Sequence, residues 1–421
     1  MWVMKVGGGC LRDAAGIRQL PFVLNSAYSD SPRLLVVSAI GKTTNRLFQI
    51  AEAAGRSDLA QAEMLLTRLR EDHEAIIQEL LPGGSGAQLI QRLSERYWTP
   101  LWQRVQALVQ LSDEAGYATD AILVYGELIS SEIVRAYLEV QGFSLAWVDA
   151  RRLIVTDGYH PEPSVIFSAS QANVDAQLVP LFRIHKLVLT QGYIASDLRR
   201  RSVTLGREGS DYSAALFANM LGAQGMIAWK DVGRLYSADP NLYQNAQPLT
   251  ELSYSQAAEM TYYGAQILHP RTLRPLREKR IPLYVRPYFD PTGEGTIIAE
   301  KWVSPLPPIH TQRRGLTLVE VESTDLSPLS LTEMLREMEG EGIEAYFVQG
   351  GVRTAAFAIK GSQESIERWR AVLPTGWDVS VRQPVTLYTV LYPDANFSLP
   401  NGEALYFQQL PDRVHWLAYE G

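Results

Sequence analysis

The chain has 421 residues, 46% hydrophobic and 20% charged, which suffices for two or three domains with their own cores and is ordinary for a globular protein. A net charge of −7 argues against a dedicated nucleic-acid binder, so any affinity for phosphate has to be built locally. The single cysteine, Cys10, excludes an internal disulfide and a cysteine zinc cluster; the six histidines show no metal-ligand spacing, and no apolar run approaches the roughly 20 residues of a membrane span.

The opening MWVMKV reads as a strand and carries no signal-peptide pattern, so a cytoplasmic protein is expected. Short apolar runs then recur between helical patterns, at residues 1–6, 33–38, 144–149, 185–190, 225–229 and 282–285. That alternation predicts an α/β domain whose parallel sheet is covered by helices on both faces. Residues 57–116 are charged and amphipathic without strand signals, and read as a helical insertion or, equally, a plain solvated helical pair. SPLPPIHTQRRG changes the texture and predicts a linker at 303–315. Beyond it, 316–321, 345–348 and 355–359 read as strands and 329–340 as a helix. A helix at 365–372 and strands at 386–392, 404–408 and 414–419 suggest a second, reduced copy of the same small α+β unit.

Six segments carry chemistry. Lys5-Val-Gly-Gly-Gly9 lies at the end of the first strand, where glycines let phosphates meet backbone N–H groups and a lysine adds a point charge; a tight strand exit with a surface lysine fits equally. VVSAIGKTTNRL (36–47) again runs from strand to polar turn to helix. YGELISS (125–131) reads as the opening of a helix, with Glu127 either receiving a substrate ammonium or complementing the helix dipole. LGREGSDYSAALFANM (205–220) is a glycine turn feeding a helix that Ser210 or Asp211 can cap; it is an anion site or an ordinary capped helix. WKDVGRLYSADP (229–240) sets Lys230 and Asp231 after a strand and before a hairpin-like excursion, and YYGAQILHP (262–270) leads into a helix.

In their order and spacing these segments, with TQGYIA (190–195), resemble the aspartate kinases of the amino-acid kinase superfamily. The resemblance spans essentially residues 1–300, is nearest the short monofunctional members, and extends to a tail similar to regulatory ACT domains. It implies a kinase domain at 1–302, containing the 57–116 insertion, and an ACT-like region at 316–421 made of two reduced units. The implied reaction is phosphoryl transfer from Mg-ATP to the side-chain carboxylate of L-aspartate, opening lysine, threonine and methionine biosynthesis. By the same likeness Lys5 sits on the transferring phosphoryl group and Asp211 orients the acceptor or contacts Mg2+. Gly7, Gly8, Gly206 and Gly209 supply backbone donors, while Lys230, Asp231 and Tyr236 hold the nucleotide. Arg201 clamps the aspartate α-carboxylate, Glu127 its ammonium, and Ser38 and Thr44 line that pocket. An amino-acid effector at the tail, and a homodimer or dimer of dimers joined through it, are also implied; nucleic acid and membrane are not. The chain departs from the family pattern at Gly9 and Cys10, at Gly233-Arg234, at Asn241 and at Gln266, losing two hydroxyls and two cations, which Arg234, Arg200 or Lys42 would have to replace. Those losses leave a second reading, a non-catalytic amino-acid-responsive regulator on the same fold.

Overall fold

The computed structural model describes residues 1–26, 30–109, 115–160, 163–265, 268, 270–300, 306–323, 330–394 and 404–419. The expected domain boundary at 302, the first residues of the expected linker and Gln266 lie outside the described residues. Contacts divide the chain into two compact units: Met1–Leu235 with Thr250–Tyr254 and Leu268–Trp302, and Tyr236–Leu249 with Ser255–Ile267 and Val303–Gly421. Two stretches read from sequence as part of 1–302 therefore group with the second unit.

The first unit is built on an eight-stranded sheet. In chain order its strands are β1 (Trp2–Val6), β2 (Arg33–Val37), β3 (Leu145–Trp147), β4 (Leu187–Gln191), β5 (Gly225–Lys230), β6 (Glu251–Ser253), β7 (Leu283–Pro287) and β8 (Thr296–Ala299). They lie in the order β6-β8-β7-β5-β1-β2-β4-β3. From β7 to β3 every neighbouring pair is parallel; β8 runs antiparallel to β7 and carries β6 at the edge. All six expected strands are here. The two that were not expected, β6 and β8, are three and four residues long, too short to show a period. β1 and β2 are buried at every position, as continuous apolar strands between two helical layers must be. Arg33 is the polar exception in β2, and its guanidinium donates to Leu24 O.

The main helices near the site are α1 (Thr43–Gly55), α2 (Leu59–Leu80), α3 (Gly84–Leu93), α4 (Thr99–Leu108), α5 (Ala115–Val140) and α6 (Gly209–Met220). The segment YGELISS, expected to open a helix, lies in the middle of the 26-residue α5. The start of α5, AGYATD, contains glycine and threonine and hides its helical character, which packing rather than propensity supplies. A separate three-stranded sheet joins Val155–Thr156, Ile194–Asp197 and Ser202–Thr204.

The second unit contains β9 (Ile309–Ser323), β10 (Glu344–Gly350), β11 (Thr354–Lys360), β12 (Trp377–Leu391), β13 (Tyr406–Leu410) and β14 (Arg413–Tyr419), with helices α7 (Leu331–Gly340) and α8 (Gln363–Val372). Its strands form one antiparallel sheet in the order β10-β11-β9-β12-β14-β13. The two expected reduced units are thus fused: β9 and β12, fifteen residues each, run through both. Residues 309–315, expected as linker, are the first part of β9; the prolines before them disguised its start. Register shifts between Arg313 and Leu318, around Gly315 at φ +68°, form a bulge that separates the two halves of that strand. Beyond the bulge side chains alternate. Val319 and Val321 pack with Met334, Met338 and Trp369 of the helices, whereas Leu316 and Leu318 pack with Phe347, Val385 and Leu417.

Candidate active site

Strands β5, β1, β2 and β4 are parallel neighbours ending in register: Val6 pairs with Val37 and Trp229, and Val37 with Gln191. The loops that leave them meet at one carboxyl edge, where open parallel sheets take ligands. Ser38 N–H donates to Val6 O and Gly41 N–H to Gly8 O, both at 3.1 Å. A Cβ on Gly8 would stand 2.7 Å from Ala39 O and 2.8 Å from Gly41 O, so the first two loops touch only because that residue is glycine. Likewise a Cβ on Gly192 would stand 2.7 Å from Ser210 Cα, which presses the loop after β4 onto the start of α6.

Lys5, on β1, brings its Nζ to 3.0 Å from Asp211 Oδ1, and Lys230, at the end of β5, brings its own to 3.1 Å from Oδ2. Lys5 and Asp211 are buried, 5% and 3% exposed. Two ammonium groups sharing one carboxylate leave positive charge in a dry place, an arrangement suited to a polyanion. Burial pulls the Lys5 pKa below its ordinary value; Asp211 offsets this only in part, and Lys230 adds to it. For Asp211 burial pushes upward, but the charges and hydrogen bonds of Lys5 and Lys230 outweigh it and hold the carboxyl below the usual range. Burial also opposes the charge on Lys230, yet Asp211 and Glu208 raise its pKa.

Glu127, on α5, is 2% exposed, and burial raises its pKa well above the ordinary carboxyl range against the charge of Lys5 and the N–H of Ala39. Its Oε2 has no hydrogen-bond partner. A buried, half-satisfied carboxyl is costly alone and becomes favourable when a cation arrives. The folded pKa lies above the unfolded one, so this group's contribution to stability is complete below about pH 4.3 and is lost as pH rises through the folded value. Glu127→Gln lacks that loss. Thermal unfolding should show little difference from the wild type near about pH 4 and a growing advantage for the variant toward about pH 7.5; a difference independent of pH would remove the assignment.

Gly206 (φ +73°) and Glu208 (φ +50°) turn the chain into α6, which begins at Gly209 with no side-chain cap. The expected caps are otherwise engaged: Asp211 faces the lysines and Ser210 is pressed against Gly192. A glutamate in the left-handed region is strained, by about 1–2 kcal/mol, and such strain gathers at ligand sites. Gly209 N–H closes the turn onto Gly206 O at 3.1 Å, so Gly209 shapes the loop rather than offering a donor.

The remaining sequence-derived residues divide. Ser38 is half-buried, its carbonyl held by Ser130 Oγ at 2.7 Å, and Thr44 is half-buried in the first turn of α1. Arg201, between two strands of the small sheet, donates through Nε to Asp197 Oδ2 at 2.7 Å. Asp231 is exposed, with Oδ2 3.2 Å from where a Cβ of Gly9 would stand. Tyr236 is half-buried on the short strand Leu235–Tyr236 and belongs to the second unit. The Cys10 thiol donates to Trp229 O at 3.5 Å; burial, then Asp231, pushes its pKa up to about 12, so it stays neutral. Of the cations expected to compensate for lost ones, Arg234 is paired with Glu294 at 2.7 Å, and Arg200 and Lys42 are exposed. Lys230 supplies the second charge beside Asp211. Sequence reasoning missed Tyr117, Asp120 and the paired serines Ser130 and Ser131, which have partners distant along the chain, and Asp197, whose partner Arg201 is only four residues on but forms no motif with it.

Residues 1–287 match the amino acid kinase family. The lysine-sensitive aspartokinase 3 of Escherichia coli is 32% identical over 336 residues, covering 77% of this chain and 70% of that protein. A bifunctional aspartokinase/homoserine dehydrogenase 1 of Arabidopsis thaliana is 31% identical over 71% of this chain, and Arabidopsis aspartokinase 2 is 30% identical over 76%. The chain spans 32% of the former and 59% of the latter. The crystal structure of E. coli aspartokinase III with lysine and aspartate superposes with a TM-score of 0.80 at 25% identity, covering 100% of this chain and 96% of that one. Its form with aspartate and ADP gives 0.85 at 24% identity and the same coverage. With a family match over two thirds of its length and an aspartokinase relative covered to 70%, the chain belongs to the amino acid kinase family, on its aspartokinase branch.

Proposed function

We propose that this protein is an ATP-dependent aspartate kinase, transferring a phosphoryl group from ATP to the side-chain carboxylate of L-aspartate to give 4-phospho-L-aspartate, the entry to lysine, threonine and methionine biosynthesis. The observation that carries the reading is the buried Lys5–Asp211–Lys230 cluster at the carboxyl edge of the sheet. Phosphoryl transfer asks for positioning and charge neutralisation rather than covalent chemistry. Lys5 and Lys230 hold the phosphate oxygens, and Asp211 keeps both ammonium groups apart and aimed. Glu127 takes the substrate ammonium, Arg201 its α-carboxylate, and Ser38 and Thr44 line the pocket. Gly7, Gly8 and Gly206 let the phosphates approach the backbone, and Asp231 and Tyr236 serve the nucleotide.

Mg2+ would arrive on the nucleotide. Among the described residues no group of three or more His, Cys, Asp or Glu side chains is placed to hold a metal ion, and Asp211 is already shared between two lysines. An ion bound mainly by phosphates fits that donor set; it supplies charge neutralisation there. Nor, among the described residues, is any helix long and apolar enough to cross a membrane. The aspartokinase relatives favour the catalytic reading over a non-catalytic regulator; Lys230, itself a match to the family, does not replace the cations lost at Asn241 and Gln266. A coupled assay of ATP turnover with aspartate against glutamate tests the reading: aspartate-dependent turnover is expected, and its absence, or a preference for glutamate, would overturn it.

The six-stranded sheet of the second unit leaves β10 and β13 as edges. Unpaired edges are a liability commonly remedied by joining two copies. This supports a homodimer or dimer of dimers assembled through the ACT-like region, with an amino-acid effector bound there. Sedimentation of the full chain and of a chain ending near residue 302 should give different numbers of chains per particle; the same oligomeric state for both would exclude that region as the assembly element.

A further inference from the structure

Among the described residues Arg201 is held by an aspartate and by an aromatic ring. Asp197 ends one strand of the small sheet, and its carboxylate gathers three donors: Oδ1 accepts the backbone N–H of Arg199 at 2.9 Å and of Arg201 at 2.8 Å, and Oδ2 accepts Arg201 Nε at 2.7 Å. Asp197 is 3% exposed, and a Cβ on Gly158 would stand 2.9 Å from its Cβ, so the carboxylate is buried against a residue that has to be glycine. On the other side the guanidinium carbon lies 3.6 Å from the centroid of the Tyr117 ring. That ring is itself fixed. Its hydroxyl donates to Gly158 O, and His160 stands edge-on to it with centroids 4.8 Å apart. His160 Nε2 is 3.0 Å from Asp120 Oδ2, and Asp120 accepts both the N–H and the hydroxyl of Thr204 at 2.8 Å. Thr204 leads directly into the Gly206 loop. A flexible arginine is thereby reduced to one pose, at the head of the strand that feeds the phosphate loop.

We propose that Asp197 is a positioning residue which, with Tyr117 as a stacking platform, presets Arg201 for the acceptor's α-carboxylate and so makes the enzyme demand that group; this rests on the aspartate kinase reading above. A guanidinium whose Nε edge and one face are occupied meets a planar carboxylate with its ordering cost already met. Without Asp197 the same cation is present but must be ordered at each binding event. The effect therefore belongs to acceptor binding and not to phosphoryl transfer.

The test is Asp197→Asn, whose amide oxygen can still accept the two backbone N–H groups while its nitrogen cannot accept from Arg201. The discriminating acceptor is 3-aminopropanoate, which keeps the carboxylate that receives the phosphoryl group and lacks the α-carboxylate. KM for aspartate should rise about 10- to 100-fold, the range for a hydrogen bond to a charged group, with kcat and the KM for ATP changing by less than about threefold. The affinity for 3-aminopropanoate, measured as acceptor or as inhibitor competing with aspartate, should stay put, so the preference for aspartate falls by the same factor. A merely structural role would weaken both compounds and ATP together. Should Asp197→Asn fail to fold, Tyr117→Phe and Tyr117→Leu decide: Leu, which removes the ring face, should raise the aspartate KM more than Phe, which keeps the face and loses only the hydroxyl. An unchanged or lowered aspartate KM in Asp197→Asn, or equal values for the two Tyr117 variants, overturns the proposal. Failure of the kinase reading itself shows earlier and separately, as a wild type without aspartate-dependent turnover.

Discussion

Lys5→Ala should fold and be nearly inert, with turnover of ATP in the presence of aspartate down by about 10²- to 10³-fold, the cost of one preorganised charge-stabilising donor. The side chain sits at the carboxyl end of β1, 5% exposed, and reaches Asp211 at 3.0 Å. Its removal leaves Asp211 still paired with Lys230 at 3.1 Å, so the carboxylate is not abandoned and the fold survives. What is lost is a cation fixed beside the transferring group, with no other side chain able to move into a closed strand end. Steady-state turnover and a thermal melt on the same preparation separate the two effects. A melt like the wild type's with a rate within tenfold of it would remove Lys5 from the chemistry.

Asp211→Asn should damage both stability and turnover, for the opposite reason. It leaves two ammonium groups facing an amide in a buried place. Taking one partner from a buried ion pair costs about 3–5 kcal/mol, enough to shift a urea midpoint by a large part of the total stability of an ordinary domain. The loss should depend on pH in a definite direction. Burial already lowers the Lys5 pKa in the wild type, with Asp211 opposing it; without the carboxylate the ammonium is disfavoured further and sheds its proton at lower pH. The variant's deficit should therefore shrink as pH rises from neutrality toward about 9–10, below the ordinary lysine value of about 10.4. A deficit that is constant over that range, or absent, would contradict the shared-carboxylate account.

The sequence shows much of this architecture because its main signals are local. Apolar runs such as MWVMKV and LLVV announce strands buried on both faces, and the glycine segments follow directly on strand ends. Lys5, Lys230 and Asp211 are each visible inside such a segment. Their meeting is not, because it depends on β1 and β5 being neighbours although more than 200 residues separate them. The same holds for Arg201 and Tyr117. Asp120, His160 and Thr204 bear no motif at all, and only the fold brings them together. Within the second unit the alternation of Val319, Val321 and their neighbours was readable, but the fusion of two halves through β9 and β12 was not. A proline-rich approach looks the same whether a linker or a strand follows it. The capping expectation at Ser210 and Asp211 failed for a related reason: a local rule assigns a side chain to the nearest backbone, and here a distant charge claimed it.

Ser130 and Ser131, adjacent on α5, tie that helix to two different loops. Ser130 Oγ donates to Ser38 O at 2.7 Å, and Ser131 Oγ accepts from Gln191, the residue before Gly192, at 2.8 Å. Consecutive residues on a helix point about 100° apart, so the two loops are pegged to a common spindle as well as to each other, through Gly192 N–H on Val37 O at 2.9 Å. Glu127 rides on the same spindle, one turn earlier. A roll of α5 about its own axis would draw one peg in as it carries the other sideways, and would turn the carboxyl in the same stroke. The spacing between the loop after β2, the loop after β4 and Glu127 is accordingly set by the pitch of a rigid rod together with the register of two paired strands, and not by how supple either loop happens to be.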